Sequence, residues 1–506
     1  MIDMRIWRHL GRIISAASLA TSLAILALVS GAYSSVLAQD SLAIGMGLEP
    51  PHLDPTAGAA AAIDEVVYGN VFEGLTSIDQ NGAVVPGLAN SWGVSADGLE
   101  YLFNLEPNVT FHDGTPLTAE VVKFSLDRAR GEGSTNAQKR LFDPISEIEI
   151  QGAQTIVIRL KEPFGGFLRN LGWGDAVIVH PNSAGTNKAN PIGTGPYQVD
   201  RVVKGDRVVL RRFSDYWGTK PFFEQVTFRF IPDAAAQVTA MLAGDIDAVP
   251  NFGSPESLPR FEADPQFKVS IGTTEGETIL ALNNRTGPLS DIRIRRAIAR
   301  AVDRQAIVDG AMFGYGTPIG SHFAPHHPAY VNFTGINDHD PDAAKALLRE
   351  AGFEDGLKFS LILPPPTYAR RGGEIVADQL RAVGIETEIE QVEWAQWLDR
   401  VFKKHSFDMT IVSHTEPLDI DIYTRPDYYF GYHDAGLKAL LKALDNSSGP
   451  IKRAAIFGAI QEKIAADAPN VFLFQLAKLG VWRSDLVGFW ENSPVQANNV
   501  TLVRRE

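Results

Sequence analysis

The chain has 506 residues, 45% of them hydrophobic and 21% charged, with a formal net charge of −14 and no cysteine. Single cores stop growing at roughly 250–300 residues, so this length calls for two lobes or more. The balance of residue types excludes a disordered tail or a multi-span membrane protein, the acidity argues against a nucleic-acid partner, and the missing cysteine removes disulfides, thiolate zinc sites, thiol catalysis and a lipoprotein anchor.

Arg5, Arg8 and Arg12 form a basic start, Ile13 to Tyr33 is apolar with small residues mixed in, and Val36-Leu37-Ala38 ends in a small residue. That is the pattern of a cleavable signal peptide over 1–38, which places the mature chain in the periplasm. An uncleaved membrane anchor is the alternative; Ser15, Ser18, Thr21, Ser22, Ser30 and Gly31 dilute its apolar stretch.

The remainder reads as mixed α/β. Ser41–Met46 alternates as a strand and Ala59–Phe72 has helical spacing. Strands are predicted at Leu99–Leu105, Gln154–Leu160, Val208–Arg212 and Gln225–Ile231. Thr118 suits the N-cap of a helix that follows it, and Ala235–Leu242 is a second short helix. Ile279–Asn283 is a buried strand, followed by a helix over Ile292–Asp309 and another over Pro341–Ala351 with Asp340 as its cap. Lys358–Leu363, a helix over Gly373–Val383 and Ile385–Val392 make a strand–helix–strand unit, which implies a right-handed parallel crossover. Phe407–Ser413, a helix over Ala454–Ala466 and the strand Val471–Leu476 complete the chain.

Several segments together resemble the solute-binding proteins of oligopeptide, dipeptide and nickel importers. They are Asn70-Val71-Phe72-Glu73-Gly74-Leu75, Pro86-Gly87-Leu88-Ala89, Phe111-His112-Asp113-Gly114-Thr115-Pro116-Leu117-Thr118-Ala119-Glu120, Gly193-Thr194-Gly195-Pro196-Tyr197, Asp215-Tyr216-Trp217-Gly218, Gly244-Asp245-Ile246-Asp247 and Asp291-Ile292-Arg293-Ile294-Arg295-Arg296-Ala297. Each is weak alone, but their order spans nearly the whole mature chain. The resemblance implies an α/β, two-lobed periplasmic binding protein of type II, cluster C-like, with an extra subdomain in lobe one. Lobe one would hold 39–275 plus 475–506, with the subdomain at about 76–190, and lobe two would hold 276–474. It further implies capture of a peptide or similar amine-bearing solute between the lobes, without catalysis, by a monomer that delivers it to an ABC permease and its ATPase.

The resemblance also places a ligand-gripping aspartate after the strand Phe407–Ser413. Asp419 is the positional match, with Asp421 and Glu416 beside it and His414 and Thr415 leading into the same loop. A buried ammonium needs such a carboxylate, because an unpaired buried charge costs several kcal/mol. Dipeptide-type relatives carry an arginine after the strand matching Lys358–Leu363; this chain has Pro364-Pro365-Pro366-Thr367-Tyr368 there, with Arg370 next. Tyr423 and Trp394 are candidate aromatic walls, and Asn283 and Arg285 are candidate contacts at the end of a crossing strand. Core packing or ordinary salt bridges are the competing readings for each.

Neither a metal nor any other cofactor is expected. His322-Phe323-Ala324-Pro325-His326-His327 is the densest histidine run, but two prolines bracket it and no acidic residue stands at ligand spacing, so it reads as a surface loop. A metal chelate, an opine or a sugar conjugate are the other ligands of this fold. A hydrolase is the competing class, for which no nucleophile elbow, P-loop or zinc motif is present.

Overall fold

The computed structural model describes residues 40–506 apart from Ala59, Thr286, Pro328, 416–418, Asn446 and 448–449. The signal-peptide reading of 1–38 and the candidate Glu416 lie outside the described residues. Among the described residues no helix is long and apolar enough to cross a membrane.

One long sheet runs through the molecule. Its main strands are β1 (Ser41–Met46), β2 (Tyr197–Val203), β3 (Arg207–Arg212), β4 (Gln225–Phe230), β5 (Ala248–Val249), β6 (Phe267–Leu282), β7 (Leu357–Leu363), β8 (Ile385–Gln391), β9 (Met409–His414) and β10 (Asn470–Arg483). They lie in the order β8–β7–β9–β6–β10–β5–β1–β4–β3–β2. β6 and β10 are antiparallel and join two separate cores. One core is built on β1, β4 and the C-terminal residues Trp482, Val495, Val500 and Val503. The other packs Leu280, Leu282, Leu361, Leu363, Ile411 and Leu473 against helices. A four-stranded antiparallel sheet with its own core, from Leu75 to Ile178, is attached to lobe one.

The crossing strands are longer than the apolar runs at Ile279–Asn283 and Val471–Leu476 suggest: β6 has 16 residues and β10 has 14. The lobe-one half of β6 carries Lys268, Ser270, Thr273 and Thr274, and its partial exposure hides the strand from a search for buried runs. The helix expected over 292–309 is two, Ile292–Ala301 and Arg304–Met312. Asp303 interrupts them and caps the second by accepting from the Ala306 amide. The helix expected over 59–72 is only Ala61–Val67, since the chain turns at Gly69 with φ +69°.

Register breaks where the lobes meet. Thr273 faces Ala477 and Glu277 faces Gln475, so Thr274–Gly276 bulge opposite the single residue Leu476. The Thr274 hydroxyl holds the bulge by donating to the Leu476 carbonyl at 2.6 Å. In lobe two, β7 runs parallel to both β8 and β9. The carboxyl ends of these strands therefore point one way, and the pairing of His414 with Glu277 shows that way to be toward the bulge. Open α/β sheets bind ligands at such ends.

Candidate functional site at the lobe crossing

Three polar side chains meet beside the bulge. Glu277 comes from β6, His322 from the loop after the second helix of lobe two, and Asp419 from the loop after β9. The exposures of Glu277, His322 and Asp419 are 3%, 2% and 2%. His322 Nδ1 lies 2.7 Å from Glu277 Oε1, and His322 Nε2 lies 3.0 Å from Asp419 Oδ1. One imidazole thus bridges two carboxylates that are far apart in sequence. Burial, and then the charge of Glu277, push the Tyr423 hydroxyl well above its usual value of 10, so it stays protonated. The Tyr423 ring meets His322 edge-on at 5.5 Å. One donor atom from each of Glu277, His322 and Asp419 lies within 4.8 Å of the others, so the trio also has the composition of a small divalent-cation site.

A second cluster lies two residues back along the strand. Glu275 Oε1 is 3.3 Å from His326 Nε2 of lobe two and 3.7 Å from Arg169 Nη2 of lobe one. Burial, aided by the positive field of Arg169, pushes neighbouring His327 down to about 4, which leaves it neutral at pH 7. Two further ion pairs cross between the lobes: Arg140 with Asp421 at 3.5 Å, and Glu256 with Arg371 at 3.5 Å.

The sequence candidates divide into groups. Asp419, Tyr423 and His414 are buried at the crossing; Thr415 is half-buried beside them. His414 is stacked on Tyr429, whose hydroxyl lies 3.0 Å from its Nε2. Asp421 is held by Arg425 at 2.6 Å and reaches lobe one through Arg140. Trp394 is half-buried and packs edge-on against Trp397 at 5.6 Å.

Asn283 and Arg285 are corrected. They follow the far end of β6, about 20 Å of strand beyond Glu277. The Asn283 amide donates to the carbonyls of His405 and Phe407, and the Arg285 guanidinium donates to those of Tyr428 and Tyr429. Arg370 is committed to the end of β8, donating to the Val392 carbonyl and to Glu393, each at 3.3 Å. The surface-loop reading of 322–327 is also corrected: His326 is exposed, but His322 is buried between carboxylates supplied by other elements.

Glu277 is not singled out by the sequence, and His322 enters it only as part of a histidine run read as a surface loop. For Glu277 a signal exists, a glutamate opening the apolar run Ile279-Leu280-Ala281-Leu282. For His322 the signal is the histidine run itself, but its acidic partners come from distant segments.

The model of the bacterial extracellular solute-binding proteins, family 5, matches residues 83–434. The chain belongs to this family. A dipeptide-binding protein of Escherichia coli K12 is 30% identical over 63% of this chain and 65% of its own length. The glutathione-binding protein GsiB of Salmonella paratyphi A is 28% identical over 74% of each. The solved structure of a periplasmic binding protein, DppA from Helicobacter pylori in complex with the peptide STSA, superposes with a TM-score of 0.83. It is 24% identical and covers 92% of this chain and 98% of that one. Family 5 proteins bind solutes outside the cytoplasm, and the two cores joined by β6 and β10 are the family's two-lobed type II fold. The bulge and the trio sit where the lobes of such a fold meet.

Proposed function

We propose that this chain is the periplasmic capture component of an ABC importer. Residues 1–38 export it, and it binds without turnover and passes its solute to a permease and its ATPase. The lobes hinge about 274–276 and 476–477. The solute is a peptide or a similar small amine-bearing molecule, the class that the names of the dipeptide- and glutathione-binding relatives suggest. Its ammonium group is received by Asp419, with Glu277 and His322 behind it. The observation that carries this reading is the pair of buried carboxylates bridged by one imidazole at the lobe crossing. Carboxylates in so dry a place interact strongly with a cation that displaces water on closure. Closure is then favoured only by contacts better made in the closed form.

Mass spectrometry of whatever co-purifies with the protein names the solute, and titration calorimetry with that solute and its N-acetylated form tests the role of the amine. A free amine is expected to be essential. Equal affinity for the acetylated form ends the reading.

A chelated metal is the second reading, favoured by the proximity of the three donor types in Glu277, His322 and Asp419. EDTA treatment is expected to leave solute affinity unchanged. A loss on chelation, restored by nickel or zinc, selects the metal instead.

A further inference from the structure

Pro364, Pro365 and Pro366 follow β7, and the two arginines next along the chain, Arg370 and Arg371, are engaged. Arg370 Nη2 donates to the Val392 carbonyl and to Glu393; its Nε is unpaired, so its side-on edge is already half taken. Arg371 pairs with Glu256 and lies over the Phe313 ring at 5.2 Å. Arg169 differs from both. It comes from lobe one, on the turn of helix Phe167–Asn170, and its Nη1 donates to the Gly82 carbonyl at 2.8 Å. That bond fixes the guanidinium. The remaining edge, Nε and Nη2, is buried and has no hydrogen-bond acceptor. These two atoms form the side-on fork that matches a carboxylate with two parallel hydrogen bonds.

Glu275 is the rival partner, but its distance of 3.7 Å from Nη2 is beyond a hydrogen bond, and it lies closer to His326, at 3.3 Å. Arg169 therefore stands where lobe one, the bulge and the His326–His327 loop of lobe two converge, with its strongest donor pair unused. We infer that Arg169 is the carboxylate-binding residue of the cleft, seating the acid group of the solute on Nε and Nη2 while Glu275 turns to His326. This rests on the proposed capture of an amine-bearing solute and adds that the solute is zwitterionic. Glu275 and Glu277 are two residues apart across the bulge, a separation of at most about 7 Å. The acid and amine subsites are then on the order of 10 Å apart, the reach of a chain of two to four residues.

The test uses an equimolar mixture of synthetic di- to pentapeptides, its C-amidated counterpart and its N-acetylated counterpart. Each is offered to the full mature chain, and bound species are counted by native mass spectrometry. The wild type is expected to retain free-acid peptides of two to four residues and to hold the amidated set at least 30-fold more weakly. Arg169→Gln removes that preference, Arg169→Lys keeps part of it, and Glu275→Gln strengthens free-acid binding several-fold by removing a competing anion. Glu275→Gln keeps the proposal open to refutation if the Arg169 variants do not fold. Equal retention of amidated and free-acid peptides overturns the proposal, as does an unaltered preference in a folded Arg169→Gln variant. Retention of acetylated peptides with the acid preference intact overturns the amine reading alone. Retention of nothing from any mixture overturns both.

Discussion

Two carboxylate centres, one half-buried and one buried, can be set side by side in this molecule. In lobe one, Glu73 accepts hydrogen bonds from the Thr194 hydroxyl at 2.8 Å, the Tyr216 hydroxyl at 2.8 Å and the Trp217 indole at 3.0 Å. All four residues belong to the segments that carry the family resemblance, and all the donors are neutral. At the crossing, Glu277 and Asp419 face one imidazole from both of its nitrogens, and the three residues come from three separate elements. The first centre ties loops of one lobe together. The second stands on the strand about which the lobes would move. A carboxylate held by several partners is therefore no mark of a site by itself; the kind of partner and the elements that supply it decide.

The sharpest way to break this contrast is to change one carboxylate in each centre. Asp419→Asn keeps the shape and removes the charge, and affinity for an amine-bearing solute is expected to fall at least 100-fold with the melting temperature little changed. Glu73→Gln is expected to leave affinity within about threefold, because its effects stay in the lobe-one core. Calorimetry on both variants checks this. A binding loss in Glu73→Gln equal to that in Asp419→Asn would erase the distinction.

His322→Ala sharpens the second half of the comparison. It leaves Glu277 and Asp419 facing each other without the bridging group, and leaving buried polar groups without their partner costs about 1–3 kcal/mol. Urea unfolding is expected to show lobe two weakened by that order, and affinity is expected to drop about tenfold through loss of orientation. A variant as stable as the wild type would mean that the imidazole does not hold the two carboxylates together.

The first centre has a pH signature of its own. Burial pushes Glu73 up to about 7 from an ordinary 4.5, against the opposing effect of its three donors. The folded-state value lies above the unfolded one, so the folded chain holds the extra proton between these limits. That stabilisation is whole below 4.5 and is lost as pH rises through about 7. Wild type should therefore lose stability relative to Glu73→Gln between about pH 5 and about pH 8, by about 1–3 kcal/mol. Urea midpoints of the two chains across that range measure it, and a constant difference would refute the assignment.

The two centres were unequally legible in sequence. The lobe-one knot is written in contiguous motifs. Gly193 and Gly195 lie where a Cβ would come within 1.9 Å of the Val71 carbonyl and 2.6 Å of that of Asn70, so those glycines record a close approach of two motif segments. Strands with alternating or continuous apolar character, such as β1, β4 and β7, were readable within a residue or two. The single helix read over 292–309 hid a break because Val302 keeps the apolar rhythm while Asp303 resets the cap. The crossing site was harder. Asp419 stood out through resemblance to a known pattern, but Glu277 and His322 become partners only when β6 and a proline-flanked loop converge. Asn283 and Arg285 attracted attention as polar residues ending a buried strand. They end it at the wrong pole, because a strand's two ends look alike until its neighbours are known.

The smallest effect concerns the ion pairs at the rim. Arg371 and Glu256 join the lobes at 3.5 Å with side chains 44% and 38% exposed, so water screens them. Such pairs contribute under about 1 kcal/mol, and they weaken further as salt shortens the screening length. Arg371→Ala can therefore shift the open–closed balance only slightly, and solute affinity is expected to fall less than fivefold at low ionic strength and not measurably at high ionic strength. Titrations at the two salt levels decide the matter. A loss above tenfold that persists in high salt would place Arg371 in contact with the solute. The line between architecture and site would then have to be drawn further out along the lobe-two helix that follows β7.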